Sequence, residues 1–382
     1  MNTLMTDQII ALRHRLHEAA EISGSEHITA ALVMEFLKSE GINSIIQFKF
    51  STSFMAVIQG PPIEKEPNRN IVLRCELDAL PIEEKGDFPW ISKGHASHKC
   101  GHDGHMASVI SAGLQFRDEP ISGVNCILLF QAAEETGMGA PSVITEEAFT
   151  NFKFAAIIAY HNLPGYPAQK VVFKPSQFAA TSCGLKVFYT GRTSHASEPQ
   201  LGNSPSGAIM SLVQHLDSLP QKSSALDENL KVTVVHFYCG KEAFGTAPAD
   251  GAVFATFRAY DDDVLKKNLQ NATEMALKLG EVHNLECRVE TTEYFPATIN
   301  DPELSEKFLS YLEYTQNSPL IPEKPFSWSE DFGNYRKIAP SLFFGVGSGI
   351  DCPSLHNPDY DFPDSLIEYS GDILYGLVKY MS

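Results

Sequence analysis

Lys99-Cys100-Gly101-His102-Asp103-Gly104-His105 places four potential metal-binding side chains, Cys100, His102, Asp103 and His105, within six residues. A thiol and an imidazole two positions apart are good ligands for a divalent transition metal. The bland reading of the stretch is a loop that happens to be rich in His and Cys. Its flanks favour the metal reading. Ile71–Leu77 is an apolar strand running into Asp78. Val124–Phe130 is almost wholly apolar, as expected of a central strand covered on both faces, and leads to Glu134 and Glu135. Ala155–Tyr160 is a third apolar strand, ending at His161. Three strands thus each present a carboxylate or an imidazole just past the C-terminal end. In α/β sheets that edge is where sites are built.

Outward from this centre, Asp7–Glu18 reads as a helix capped by Asp7, with Ile9, Leu12, Leu16 and Ala19 in helical period. Thr29–Glu40 reads as a second helix, stopped by Gly41. Ile45–Phe50 and Phe54–Gln59 read as short strands, Pro61–Asn70 as a loop, and Met106–Phe116 as a helix. From Ser182 the texture changes. Gly184–Tyr189, Lys231–Tyr238, Ala252–Tyr260 and Leu285–Tyr294 read as strands, and Pro205–Leu219 and Asp263–Gly280 as helices. The order β-α-β-β-α-β is the split βαβ pattern of a ferredoxin-like unit. Helices at Pro302–Tyr314, Asp331–Ile338 and Asp364–Tyr380, a strand at Ser341–Val346 and a loop carrying His356 complete the first pattern. The expected division is 1–181, 182–294 and 295–382, with the middle part inserted into an α/β domain.

The chain has 382 residues, 43% hydrophobic and 20% charged, which suits a soluble globular protein with a sizeable core. Its net charge of −18 argues against nucleic acid and anionic membrane as partners, since both select basic patches. Seven Cys at irregular spacing do not suggest a disulfide framework. No apolar run is long enough to span a bilayer, and Met1–Ile10 lacks a basic region followed by an apolar core. The cytoplasm is the expected compartment.

Cys100, His102, Glu135, His161 and His356 are five ligand candidates of mixed N, O and S type. Five exceed one tetrahedral site and suit two metals sharing a bridging thiolate. Such pairs, about 3.5–4 Å apart, activate water. Adjacent Glu134 and Glu135 can divide the work, one binding metal and the other taking a proton from the attacking water. The bland alternatives are a core His161, a surface His356, and acids favoured at a helix N-terminus. Asp78 suits a partner to a ligating imidazole, or an N-cap. His195, in Gly191-Arg192-Thr193-Ser194-His195, suits a donor to a substrate carbonyl.

These residues resemble the metal-dependent M20 peptidases, in particular the amidohydrolase branch with hippurate hydrolases, N-acyl-amino-acid amidohydrolases and auxin-conjugate hydrolases. The similarity runs in order along nearly the whole chain. It includes Arg15-Leu16-His17 with Glu21 and Glu26, Arg74 through Pro81, His98 through His105, Gln131 through Ala140, Tyr160 through Gly165, Glu330-Asp331-Phe332-Gly333 and Ser354-Leu355-His356-Asn357. The resemblance implies a metallopeptidase-type α/β catalytic domain with an inserted ferredoxin-like α+β lid. It implies two divalent ions, Zn or Mn first and Co or Ni next, with Cys100 bridging and His102, Glu135, His161 and His356 as further ligands. Glu134 resembles the general base, Asp78 the supporting carboxylate, and His195 the lid histidine that stabilises an oxyanion. Arg258, Asn203 and Gly333 are expected substrate contacts. The implied activity is cleavage of an N-acyl amino acid or a similar small conjugate, with homodimerisation through the lid. A dipeptidase or aminoacylase of the same superfamily and a non-hydrolytic metal-binding protein are the alternatives. The chain departs from the pattern at Ala20, Glu76, Gln200, Ser204 and Gly245. The lid departures bear on substrate choice and leave the metal site untouched.

Overall fold

The structure, a computed structural model, describes residues 3–64, 66–222 and 229–382. Position 65 of the Pro61–Asn70 loop and the first two residues of the Met1–Ile10 stretch lie outside the described residues. The chain opens with helices α1 (Thr3–Glu18) and α2 (His27–Ser39) and strands β1 (Ile45–Gln47), β2 (Phe54–Gln59) and β3 (Arg69–Glu76). Helix α3 (His102–Asp118), strand β4 (Val124–Gln131), the short helix α4 (Gly139–Val143) and strands β5 (Phe154–Pro164) and β6 (Val171–Val172) follow. Next come β7 (Thr181–Thr190), α5 (Ser206–Lys222), β8 (Lys231–Cys239), β9 (Asp250–Ala259), α6 (Asp262–Val282) and β10 (Glu286–Phe295). Helix α7 (Pro302–Tyr314), a 3-10 turn at Asp331–Lys337, strand β11 (Ser341–Gly349) and helix α8 (Ser365–Tyr380) close the chain.

Two compact units result. The first runs to Phe178 and resumes over Thr298–Lys324 and Asp331–Ser382. The second is Ala179–Ala297 together with Pro325–Glu330.

The first unit is α/β, built on a seven-stranded mixed sheet of order β1-β2-β4-β3-β5-β11-β6. Its centre is parallel: β3 pairs with β4 and β5, and β5 with β11. β2 joins β4 antiparallel. Alternate residues of the strands, such as Ile71, Leu73 and Cys75 or Leu128 and Phe130, enter a core shared with α1, α3, α7 and α8. The intervening residues Val72, Ile127, Leu129 and Ile157 are buried too, which is why these strands read as continuous apolar runs.

In the second unit, an antiparallel sheet of order β8-β9-β7-β10 carries both helices on one face. This is the strand order of a ferredoxin-like unit. Leu185, Val187 and Tyr189 of β7 alternate with more exposed neighbours and pack against Leu212 and Leu216 of α5 and Leu265 and Ala272 of α6. Asp261 caps α6, its carboxylate accepting from the N–H groups of Asp263 and Val264 at 2.7 and 3.0 Å.

Several boundaries differ from the sequence expectation. α1 starts at Thr3, so Asp7 lies inside the helix and is not its cap. β1 stops at Gln47, short of Phe50. α3 begins at His102, four residues earlier than the periodicity suggests, because Gly101 at φ 91° turns the chain directly into the helix. β5 runs on to Pro164, so His161 sits within the strand, paired with Gly345 of β11. The expected helix at Asp331–Ile338 is a 3-10 turn.

Candidate functional site

The first unit gathers Cys100, His102, Glu134, Glu135, His161, His356 and Asp78. β3 and β4 end at Glu76 and Gln131, so Asp78 and the Glu pair emerge from adjacent parallel strands. His161 comes from β5 on the other side of β3. Cys100 and His102 flank Gly101, where a Cβ would lie 2.7 Å from Asn162 Oδ1; the turn therefore needs glycine for both its φ and its space. The backbone N–H of His356 donates to the Lys99 carbonyl at 2.8 Å, tying the late ligand loop to this turn.

Among the described residues, donor atoms fall into groups whose members lie within 4.8 Å of one another. One is Cys100, His102 and His161; another is Cys100, Glu135 and His356; a third is His102, Glu134 and Glu135. Two of these triads share Cys100, the arrangement that two cations bridged by a thiolate require. Cys100 Sγ lies 3.4 Å from His161 Nε2. His102 Nε2 faces Glu135 Oε1 at 3.8 Å and Glu134 Oε2 at 4.0 Å. It is fully buried without a hydrogen-bond partner among the described residues. A buried imidazole nitrogen left open toward a thiol and two carboxylates fits a metal-binding role, and the donor set accommodates two divalent ions.

The imidazoles are oriented from behind. His102 Nδ1 donates to the main-chain carbonyl of Asp78 at 2.9 Å, leaving Nε2 for the cluster. His161 Nδ1 donates to the Asn162 carbonyl at 2.8 Å, with the same effect. The Asp78 carboxylate is more remote from His102, at 3.4 Å through Oδ1. Its Oδ2 accepts from the Ser23 hydroxyl at 2.7 Å and the Glu135 N–H at 3.0 Å. Asp78 therefore supports both His102 and the Glu135 backbone.

Burial opposes charge on His102, but the bond to Asp78 and the fields of Glu76, Asp78 and Glu135 outweigh it and raise its pKa to about 10. The field that holds a proton there favours a dication equally, whose binding needs the neutral ring. Burial and the neighbouring His105 push His161 well below its ordinary value, keeping it neutral and ready to ligate. Half-exposed His356 is lowered by burial and by His102.

Behind the donors lies a second polar layer, most of it buried; the sequence offers its Asp103 and His105 as metal-binding candidates and does not single out Arg13, Glu84 or Tyr360. His105 Nδ1 pairs with Glu76 Oε2 at 2.6 Å, and its Nε2 meets the side chain of Asn162, which in turn bonds the Tyr360 hydroxyl. Arg74 pairs with Glu76, and with Asp331 at 2.7 Å. Deeper in the helices, Arg13 Nε and His17 Nδ1 both face Asp103 Oδ2, at 2.7 and 2.8 Å. His17 Nε2 and Lys99 then meet Glu84.

The remaining expected site residues divide between the units. Gly333 is buried in the 3-10 turn of the first unit. His195, Asn203 and Arg258 belong to the second. His195 is exposed, its Nδ1 2.7 Å from the Ser197 hydroxyl. Arg258 donates to the Ser327 carbonyl at 3.3 Å and the Ser329 hydroxyl at 3.1 Å. The Asn203 amide nitrogen donates to the carbonyls of His283 and Asn284 at 3.0 and 2.7 Å, which ties it to the turn after α6.

The chain is similar to several known proteins. An uncharacterized hydrolase of Staphylococcus aureus (strain bovine RF122 / ET3-1) is 31% identical over 368 residues, covering 93% of each chain. Another from Staphylococcus saprophyticus subsp. saprophyticus is 28% identical, covering 98% of each. Among solved structures, the Bacillus subtilis YXEP protein, a dinuclear metal-binding peptidase from the M20 family, superposes with a TM-score of 0.80 over 100% of this chain and 99% of that one, at 21% identity. The aminobenzoyl-glutamate utilization protein of Klebsiella pneumoniae gives 0.75 over 98% and 96%, at 15% identity. The model of peptidase family M20/M25/M40 matches residues 72–380. The chain therefore belongs to the M20/M25/M40 peptidase family and is a metal-dependent hydrolase.

Proposed function

We propose that the protein is an amidohydrolase that cleaves the amide bond of an N-acyl amino acid or a related small conjugate. Cys100, His102, Glu135, His161 and His356 would hold two divalent ions, Zn or Mn in the first instance. When bound, such ions polarise the amide carbonyl and acidify the attacking water. Glu134 accepts the proton of that water and returns it to the leaving amine, so the products are a carboxylate and an amine. His195 donates to the carbonyl oxygen as charge develops there. Arg258, Asn203 and Gly333 are the proposed substrate contacts. The observation that carries the reading is the second carboxylate: Glu134 stands 4.0 Å from the open nitrogen of His102, beside Glu135 at 3.8 Å. A protein that only stored metal has no use for a base there.

The second unit is proposed as a lid and dimer contact. β8 is an edge strand of its sheet and exposes Val235, Phe237 and Tyr238, apolar side chains proposed to be covered by a second copy. Light scattering that finds only monomer removes this part of the proposal. The seven cysteines are free, and the cytoplasm is the proposed compartment. Among the described residues no helix is long and apolar enough to cross a membrane.

The test is amine release from a panel of N-acyl amino acids and dipeptides by apo-protein reconstituted in turn with Mn, Zn, Co and Ni. Cleavage of the N-acylated compounds supports the proposal. Cleavage confined to free-amine dipeptides replaces it with a dipeptidase.

A further inference from the structure

Three fully buried carboxylates take backbone N–H groups from the single stretch that carries Glu134 and Glu135. Glu26 Oε1 accepts from the N–H of Ala133 at 2.9 Å. Asp78 Oδ2 accepts from Glu135 at 3.0 Å, as described above. Asp331 Oδ2 accepts from Ala140 at 2.7 Å. Glu26, Asp78 and Asp331 are all 0% exposed. Burying three anions around one short loop is costly unless their bonds are made, and charge-assisted bonds are about twice as strong as neutral ones. The loop between them is tight. Ala133 sits at φ 54°, in the left-handed region unfavourable to alanine, and its carbonyl accepts from both Met138 and Gly139.

Glu26 and Asp331 are themselves anchored. Glu26 also accepts from the Gly24 N–H at 2.7 Å and the Thr52 hydroxyl at 2.6 Å. Asp331 Oδ1 takes Arg74 Nη2 at 2.7 Å, and the Gln131 amide donates to both its oxygens at 3.0 and 2.9 Å. Gln131 is the last residue of β4 and Arg74 lies two residues before the end of β3, with Arg74 Nε donating to Gln131 Oε1 at 2.9 Å. Asp331 also touches the acid directly, its backbone N–H lying 3.4 Å from Glu134 Oε1.

We infer that Glu26 and Asp331 are positioning residues that hold the Glu134 carboxylate in its working place, one at each end of the 133–140 loop. The inference rests on Glu134 being the base. Precision of this kind matters because displacing a reacting group by about 1 Å costs on the order of a hundredfold in rate.

The experiment compares Asp331→Asn, Glu26→Met and Glu26→Gln, each alone and combined with Glu134→Gln, in metal-reconstituted protein. It reads kcat, KM, bound-metal stoichiometry and Tm, using whichever substrate of the panel is cleaved. Asp331→Asn and Glu26→Met are expected to lower kcat about 10–100-fold with KM and metal content unchanged. Glu26→Gln keeps an acceptor for Ala133 and is expected to restore most of the loss. In the Glu134→Gln background neither variant lowers the residual rate further, since the group they position is gone. The same fold-loss in both backgrounds, or a loss that follows missing metal, overturns the inference. Should Asp331→Asn fail to fold, the Glu26→Met and Glu26→Gln pair decides alone. Wild-type turnover in Glu134→Gln refutes the base itself. An inactive Glu134→Gln beside fully active Asp331→Asn and Glu26→Met refutes only the positioning.

Discussion

Replacing Arg13 by Met probes the charge cluster that packs α1 against the first turn of α3, next to His102. Arg13 is fully buried and meets three carboxylates. Its Nε lies 2.7 Å from Asp103 Oδ2, Nη1 lies 3.4 Å from Asp364, and Nη2 pairs with Asp361. Removing one partner of a buried pair costs about 3–5 kcal/mol, because the other charge stays buried. Asp361 and Asp364 are 24% and 29% exposed and can recover water. Asp103 is 0% exposed and cannot, but it keeps His17 at 2.8 Å. The loss therefore falls near the lower end, about 3 kcal/mol, which lowers the melting midpoint by about 4–6 °C. Thermal unfolding followed by tryptophan fluorescence suits the question, since Trp90 stacks on His14 at 3.5 Å with Arg13 at 5.7 Å from its ring. A drop of less than about 1 kcal/mol, the usual worth of an exposed pair, refutes the view that this cluster fastens the two helices.

Stability should also respond to pH through the same cluster. Burial disfavours charge on His17, but Asp103 and Glu84 raise its pKa above the ordinary 6.5. The folded state then binds more protons than the unfolded one. Its contribution is complete below about 6.5 and is lost as pH rises through the raised value, a slope that His17→Gln removes in pH-dependent denaturation. Glu84 works in the opposite direction. Burial would raise its pKa, but bonds from His17 and Lys99 lower it to about 2, so its contribution is present above 4.5 and lost as pH falls toward 2. Gly139→Ala drives a Cβ to 1.9 Å from the Ala132 carbonyl, where backbone must yield. A cost of about 1–3 kcal/mol and loss of turnover are expected, and an active, equally stable variant contradicts the tight 133–140 loop. Asp78→Asn weakens support for His102 and Glu135, and titration with Mn or Zn should show affinity lower by about 10–100-fold.

Much of this architecture is legible in the sequence because strands buried on both faces leave uninterrupted apolar runs. Asp78 and the Glu134–Glu135 pair follow β3 and β4 as the pattern suggests. His161 does not follow its strand, because β5 continues through it to pair with β11, and no local periodicity reveals how far a partner strand extends. The start of α3 at His102 is likewise hidden, since the side chain that leaves no room for a Cβ at the left-handed Gly101 is Asn162, far along the chain in β5. The charged layer is the least legible part. Arg13 with Asp103, Arg74 with Asp331 and Glu26 with Ala133 are paired only by tertiary folding. Each reads locally as an ordinary polar residue of a helix, strand or loop.

The central claim is a two-ion site with Glu134 acting on water rather than on metal. The direct measurement is bound-metal stoichiometry together with kcat for wild type, Glu134→Gln and Cys100→Ala after reconstitution with Mn or Zn. The expected result is about two ions per chain in wild type and in Glu134→Gln, with turnover in wild type alone, and lost metal with lost turnover in Cys100→Ala. Wild-type turnover in Glu134→Gln, or a full complement of metal in Cys100→Ala, contradicts it.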